Sequence, residues 1–161
     1  MDEILEILEK DARLTPEEMA KMTGRPAGAV RSVIKNYEKD GVILKYKTII
    51  NKELVKSDSH QVRALIEVRV SPQKNVGFDH IAERIYKFPE VSSCYLLSGG
   101  YDLLLVVEGR DIQTIASFVA EKLAPMENIR GTITHFLLKK YKEDGDILKG
   151  KSRDKRLAIT L

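Results

Sequence analysis

Between residues 25 and 39 one periodic segment separates cationic and small side chains from apolar ones. Val30, Val33, Ile34 and Tyr37 recur at i, i+3, i+4 and i+7, the buried stripe of a helix. Projecting from that stripe turns Gly28, Arg31, Ser32, Lys35 and Lys39 outward. Long cations suit phosphate oxygens, and small or hydroxylated residues let a backbone approach base edges. Arg25 ahead of the helix and Lys45 and Lys47 behind it belong to the same basic block. From residue 25 to 56, Lys and Arg residues face only Glu38, Asp40 and Glu53, a balance suited to a polyanion. Solvated lysines account for the charge equally well, so these residues alone leave DNA binding and a plain helical unit both open.

No other cluster suggests chemistry. His80 and His135 fall in different elements, without a partner at metal-ligand or triad spacing. No paired carboxylates share a strand end, and Cys94 lacks an evident base. The expectation is no enzyme, no metal and no cofactor. As the single cysteine, inside an apolar stretch, Cys94 reads as a small buried hydrophobe without an intrachain disulfide.

The basic helix needs a frame, and residues 1–50 supply one. Ile4, Leu5, Ile7 and Leu8 predict a short first helix. Thr15, Pro16 and Glu18 predict the start of a second, with Thr15 as N-cap, Pro16 in the first turn and Glu18 closing a capping box. Gly24 stops it and Gly41 ends the third helix. Residues 42–44 and 46–50, with lysines between, read as a small β-hairpin. The sum is a winged helix-turn-helix.

Residues 51–61, including Lys52, Glu53, Lys56, Ser57, Asp58 and a solvated His60, read as a polar linker. Beyond it, residues 62–70 alternate as a first strand, with Arg63, Leu65, Glu67 and Arg69 on one face. Residues 71–75 form a loop. Phe78, Ile81, Ala82 and Ile85 mark a helix, residues 91–98 a second strand, and Gly99 and Gly100 a tight turn. The run from Asp102 to Val107 is a third strand, apolar on both faces. Asp111 caps a helix whose stripe is Ile112, Ile115, Ala116, Val119 and Leu123, and residues 132–141 close as a fourth strand.

This β-α-β-β-α-β order is an α+β, ferredoxin-like arrangement over residues 62–142, with both helices on one face of an antiparallel sheet. The other face, bearing Leu65 and alternate residues of the third and fourth strands, needs cover, and a second copy is the natural candidate. Residues 143–161 read as a charged tail, by default frayed. The alternation of Leu157, Ile159 and Leu161 suggests an extra edge strand on a neighbouring subunit.

With 43% hydrophobic and 32% charged residues the chain is globular rather than disordered. No apolar run reaches the roughly 20 residues a membrane helix needs. The first residues lack a signal-peptide layout, so a cytoplasmic protein away from membranes is expected.

Two sets of residues resemble a known family. Leu14, Thr15, Glu18, Ala20, Thr23 and Gly24, followed by Val30, Ile34, Tyr37, Glu38, Gly41, Val42 and Ile43, are similar to the DNA-binding domain of leucine-responsive regulator/AsnC (feast–famine) transcription factors. Pro26 and Val33 stand where that family usually has Ser and Arg. Residues 98–105, then Phe118, Val119, Glu121, Lys122 and Leu123, then Thr132, Thr134, Lys140, Tyr141 and Lys142, resemble its effector-binding RAM domain. The resemblance implies a transcriptional regulator that binds double-stranded DNA and responds to a small effector, usually an amino acid. It further implies sheet-to-sheet homodimers, often joined as four dimers in an octamer, with effector bound between dimers. The effector residues it implies are Ser98, Gly99, Gly100, Tyr101, Asp102, Thr132 and Thr134. Glycine amides can closely approach a carboxylate, and Asp102 can meet an ammonium. A ligand-sensing module binding DNA or protein non-specifically is the alternative.

Overall fold

Local capping sets the first three helices. Asp2 accepts a hydrogen bond from the Ile4 amide at 3.2 Å and starts α1, Glu3–Lys10. The Thr15 hydroxyl takes the Glu18 amide at 3.2 Å while the Glu18 carboxylate takes the Thr15 amide at 2.8 Å. That reciprocal box opens α2, Pro16–Thr23, which Gly24 closes in the left-handed region at φ 67. α3 spans Ala27–Lys39. Gly41, at φ 72, turns the chain so that the Val42 and Ile43 amides both donate to the Tyr37 carbonyl, at 2.8 and 3.0 Å.

The computed structural model describes residues 2–55, 61–71 and 77–148. It divides into two units, residues 1–50 and 51–161. In the first unit Ile4, Met19 and Val30, one from each helix, are fully buried, with Leu14, Val33 and Ile34 packed around them. The Tyr37 hydroxyl donates to Asp2 at 2.7 Å, tying α3 to the start of α1.

The expected hairpin after α3 does not form: residues 42–50 carry no strand pairing. Nothing between Leu44 and Tyr46 favours the positive φ of a tight hairpin turn, and a lone two-stranded hairpin is marginal in water. Tyr46 instead donates to Glu38 at 2.9 Å.

In the second unit β1 (Val62–Val70), α4 (Asp79–Tyr86), β2 (Val91–Leu96), β3 (Leu103–Gly109), α5 (Ile112–Ser117) and β4 (Ile129–Phe136) follow in order. The strands form an antiparallel sheet in the order β2-β3-β1-β4, with Ile66 opposite both Leu105 and Thr134. Ala64, Ile66 and Val68 of β1 and Leu103, Leu105 and Val107 of β3 are buried with Ile81, Ile85, Ile115, Phe118 and Leu123. Register places Leu65, Leu104, Val106 and Ile133 on the opposite, helix-free face. The third strand is therefore apolar on both faces, as expected.

Four details depart from the sequence reading. Helix α5 continues as a π-helical stretch, Phe118–Leu123. Phe118, three residues after buried Ile115, and the expected Leu123, five residues further across the wider turn, both reach the core, while Ile112 and Ala116, expected there, are exposed. β4 begins at Ile129 and ends at Phe136, because β1 offers only one more bond, from the Leu137 amide to the Arg63 carbonyl at 2.8 Å. The start of the expected tail is ordered: Lys142–Glu143 (β5) pairs with Asp146–Ile147 (β6) around Asp144 and Gly145, both at positive φ. Its Glu143 carboxylate accepts from Arg63 at 3.1 Å and Lys140 at 2.8 Å. His60, most of the 71–75 loop and the suggested edge strand at Leu157, Ile159 and Leu161 lie outside the described residues.

Candidate nucleic-acid interface and effector site

α3 is two-sided. Val30 is fully buried and Val33, Ile34 and Tyr37 are half-buried, whereas Gly28, Arg31, Ser32, Lys35 and Lys39 are all exposed. A methyl group at Gly28 would meet nothing within 4 Å, so a ligand backbone has open access there. The Ser32 hydroxyl donates back to the Gly28 carbonyl at 2.9 Å, leaving its lone pairs as acceptors. Lys35 and Lys39 make no ion pair among the described residues. Pro26 occupies the N-cap position of α3 and no side chain caps that end. Val33 is partly buried and packs against the Ile4, Met19 and Val30 cluster.

The two arginines behave differently from the lysines. The Arg31 guanidinium pairs with Glu17 of α2. Arg25 lies 3.5 Å from Asp2. The Tyr37 hydroxyl, the Ile4 amide and Arg25 together hold the Asp2 carboxyl below its usual range. The same bond to Asp2 pushes the Tyr37 hydroxyl up. Lys45 and Lys47 are exposed on the extended segment rather than on a hairpin.

In the second unit, Ser98, Gly99 and Gly100 are exposed between β2 and β3, and Tyr101 and Asp102 are half-buried. Gly99 adopts φ 154, and a methyl group at either glycine would meet nothing within 4 Å. Asp102 is less free than expected. Its carboxylate accepts from the Val70 amide at 2.7 Å, and its own amide donates to the Val68 carbonyl at 3.0 Å. One carboxylate oxygen thus prolongs the β1–β3 ladder, where the β1–β4 register shifts between Arg69 and Val70.

Thr132 and Thr134 stand apart from this turn. Thr132 is opposite Val68 and Thr134 opposite Ile66. Thr132 therefore shares the Asp102 end of the sheet but lies two strands away, about 10 Å by strand spacing. Thr134 sits two residues further in. Thr132 instead borders a hollow of about 110 Å³ with Glu67, Arg69, Gly131 and Ile133. Glu67 also meets His135 at 3.0 Å. Glu67 and Arg69, an acid and a base on one strand face, were legible only as polar alternation in β1.

Among the described residues no three His, Cys, Asp or Glu side chains converge on a metal position. Cys94 is half-buried, and desolvation pushes its thiol up, away from the reactive thiolate. No helix among the described residues is long and apolar enough to cross a membrane.

Residues 3–43 match the family model described as winged helix-turn-helix DNA-binding. Residues 63–147 match the Lrp/AsnC ligand binding domain. The chain belongs to the Lrp/AsnC family of transcriptional regulators.

Known members agree over nearly the whole length. The HTH-type transcriptional regulator YugG of Bacillus subtilis is 45% identical over 98% of this chain and 95% of its own. The HTH-type transcriptional regulator FL11 of Pyrococcus furiosus is 27% identical over 89% of this chain and 91% of its own. Among solved structures, a Neisseria meningitidis transcriptional regulator in complex with L-Met superposes with a TM-score of 0.68. It is 26% identical and covers 89% of this chain and 93% of that one. The feast or famine regulatory protein of M. tuberculosis, complexed with L-methionine, gives a TM-score of 0.69 at 25% identity, over 91% and 95% of the two chains. This Lrp/AsnC chain is accordingly a DNA-binding transcriptional regulator with a ligand-binding domain. The β5–β6 hairpin falls inside the matched domain, not in a tail.

Proposed function

We propose that this regulator acts as a homodimer, paired through the helix-free face of its sheet, and grips double-stranded DNA with the exposed face of α3. The observation that carries the reading is the two-sidedness of α3, whose cations are exposed while its apolar stripe packs against α1 and α2. Lys35 and Lys39 contact phosphates, Arg25, Lys45 and Lys47 add to the basic surface, and Gly28, Arg31 and Ser32 approach the bases. The effector is an amino acid, as in the two methionine complexes. Its carboxylate meets the Gly99 and Gly100 amides beside Ser98 and Tyr101, and its ammonium meets the free oxygen of Asp102. Thr132 borders the same end of the sheet two strands away, with Thr134 two residues further in. Assembly of dimers into an octamer follows the same resemblance, and effector binding between dimers changes the spacing of the DNA-binding units. The reading assigns the chain no chemical reaction and a cytoplasmic place of work.

The test is binding by gel shift across salt concentrations. Lys35→Ala weakens binding to all sequences alike and lowers the slope of log K against log salt by about 0.9, one phosphate contact. A loss confined to one sequence contradicts the assignment. A thermal-shift panel of the twenty amino acids identifies the effector, and Asp102→Asn removes its stabilising effect.

A further inference from the structure

The exposed face of α3 and its approach carry four cations treated unequally. Arg31 and Arg25 each face a carboxylate from another part of the helical unit, Glu17 and Asp2. Lys35 and Lys39 face none among the described residues. The division follows side-chain chemistry. A lysine is a mobile point charge, sufficient for a phosphate, whereas arginine is a planar fork whose orientation decides what it can read. Guanidinium offers five N–H donors. Glu17 engages one end, Nη2, leaving donors for a second partner.

We propose that Glu17 is a positioning residue for DNA reading, holding the Arg31 fork over α3 for a base edge and keeping it from pairing loosely with phosphates. The inference rests on the DNA-contacting role of α3 given above. Two physical effects act together. The carboxylate restricts the guanidinium plane before DNA arrives, which favours a two-bond contact with the O6 and N7 edge of guanine. Its negative charge also repels a phosphate approaching the same guanidinium. Glu17 therefore weakens general affinity and strengthens discrimination. The pair is exposed on both sides, with side-chain exposures of 62% and 56%, so it adds little to folding and its loss leaves the helices intact.

The experiment compares the full-length protein with Glu17→Gln, Arg31→Ala and the double variant. Each is titrated against a random 30-base-pair duplex pool and against the duplex selected from that pool by repeated rounds of binding. The expected result for Glu17→Gln is several-fold tighter binding to the random pool, with a salt slope steeper by about 0.9 as Arg31 gains a phosphate. The ratio of selected to random affinity falls about tenfold, the size of a lost base contact. In the Arg31→Ala background the Glu17 change has no effect on that ratio. Glu9→Gln, an exposed acid on α1, reports the effect of net charge alone.

Equal shifts on both duplexes, the same shift without Arg31, or a Glu9→Gln effect of equal size overturn the positioning role. Failure of the unaltered protein to bind either duplex overturns the DNA reading itself, together with this inference.

Discussion

The helical unit and the sheet unit are stabilised by different means. In residues 2–50 only Ile4, Met19 and Val30 are fully enclosed, and much of the order comes from polar contacts: two local ones, the Thr15–Glu18 box and the Asp2 cap, and one that ties the end of α3 to the start of α1, the Asp2–Tyr37 bond. In the second unit the enclosed residues form a continuous layer from β1 and β3 to both helices, assembled across long sequence separations. A unit built on local signals keeps its shape with little burial and exposes most of its surface. That suits a part whose task is to present side chains to DNA. A unit built on burial holds a sheet rigid and leaves its second face for another partner.

The largest expected effect lies on that second face. Ile133 is 48% exposed there. Ile133→Glu should weaken self-association on the order of a hundredfold or more, because pairing would bury an unpaired carboxylate. Sedimentation should show monomers at micromolar concentration with an unchanged far-UV spectrum. If the variant stays dimeric, a second copy does not cover this face.

Burial then separates the two units. Ile66→Ala, at the centre of β1, should cost the sheet unit about 4 kcal/mol in chemical denaturation. Met19→Ala should cost the helical unit about 2 kcal/mol, at the low end because three short helices can close around the gap. Equal losses would erase the distinction. Thr15→Ala should remove about 1 kcal/mol from the helical unit alone, read as a lower melting midpoint for that transition.

The smallest effect is the most diagnostic of a polar frame. The folded state holds the Asp2 carboxyl below its usual range, chiefly through the Tyr37 hydroxyl and the Ile4 amide. Its stabilisation is present above the unfolded carboxyl value and is lost as pH falls through the lower folded value. Asp2→Asn keeps a capping oxygen but not the charge. The variant should be slightly less stable than wild type at pH 7, and the gap should close toward pH 3 in urea titrations.

Much of this was legible because some signals act within a few residues. Thr15, Pro16, Glu18, Gly24 and Gly41 define helix ends through contacts no more than six residues apart, and all five act as their types suggest. Period-two alternation likewise marked β1, and the apolar run marked β3. The Asp144–Gly145 turn was equally local, a positive-φ pair suited to a tight hairpin, but the surrounding charges masked it. The extended segment after Gly41 shows the opposite error: apolar residues and lysines implied a hairpin that had no turn.

Other features depend on packing and could not be read in advance. The π-helical stretch rephases the helix after Phe118, so that Leu123, five residues on, shares the core-facing side of Phe118. Asp102 spends a carboxylate oxygen on Val70, 32 residues away, and Thr132 joins Glu67 and Arg69 rather than the glycine turn. By itself the sequence determined the order of elements, their ends and which face of α3 carries charge, since each depends on periodicity or on caps a few residues long. Only tertiary structure decided the pairing of Arg31 with Glu17, the tether of Asp2 to Tyr37 and the separation of Thr132 from Asp102. Those depend on where distant segments meet, and a periodic pattern carries no information about that.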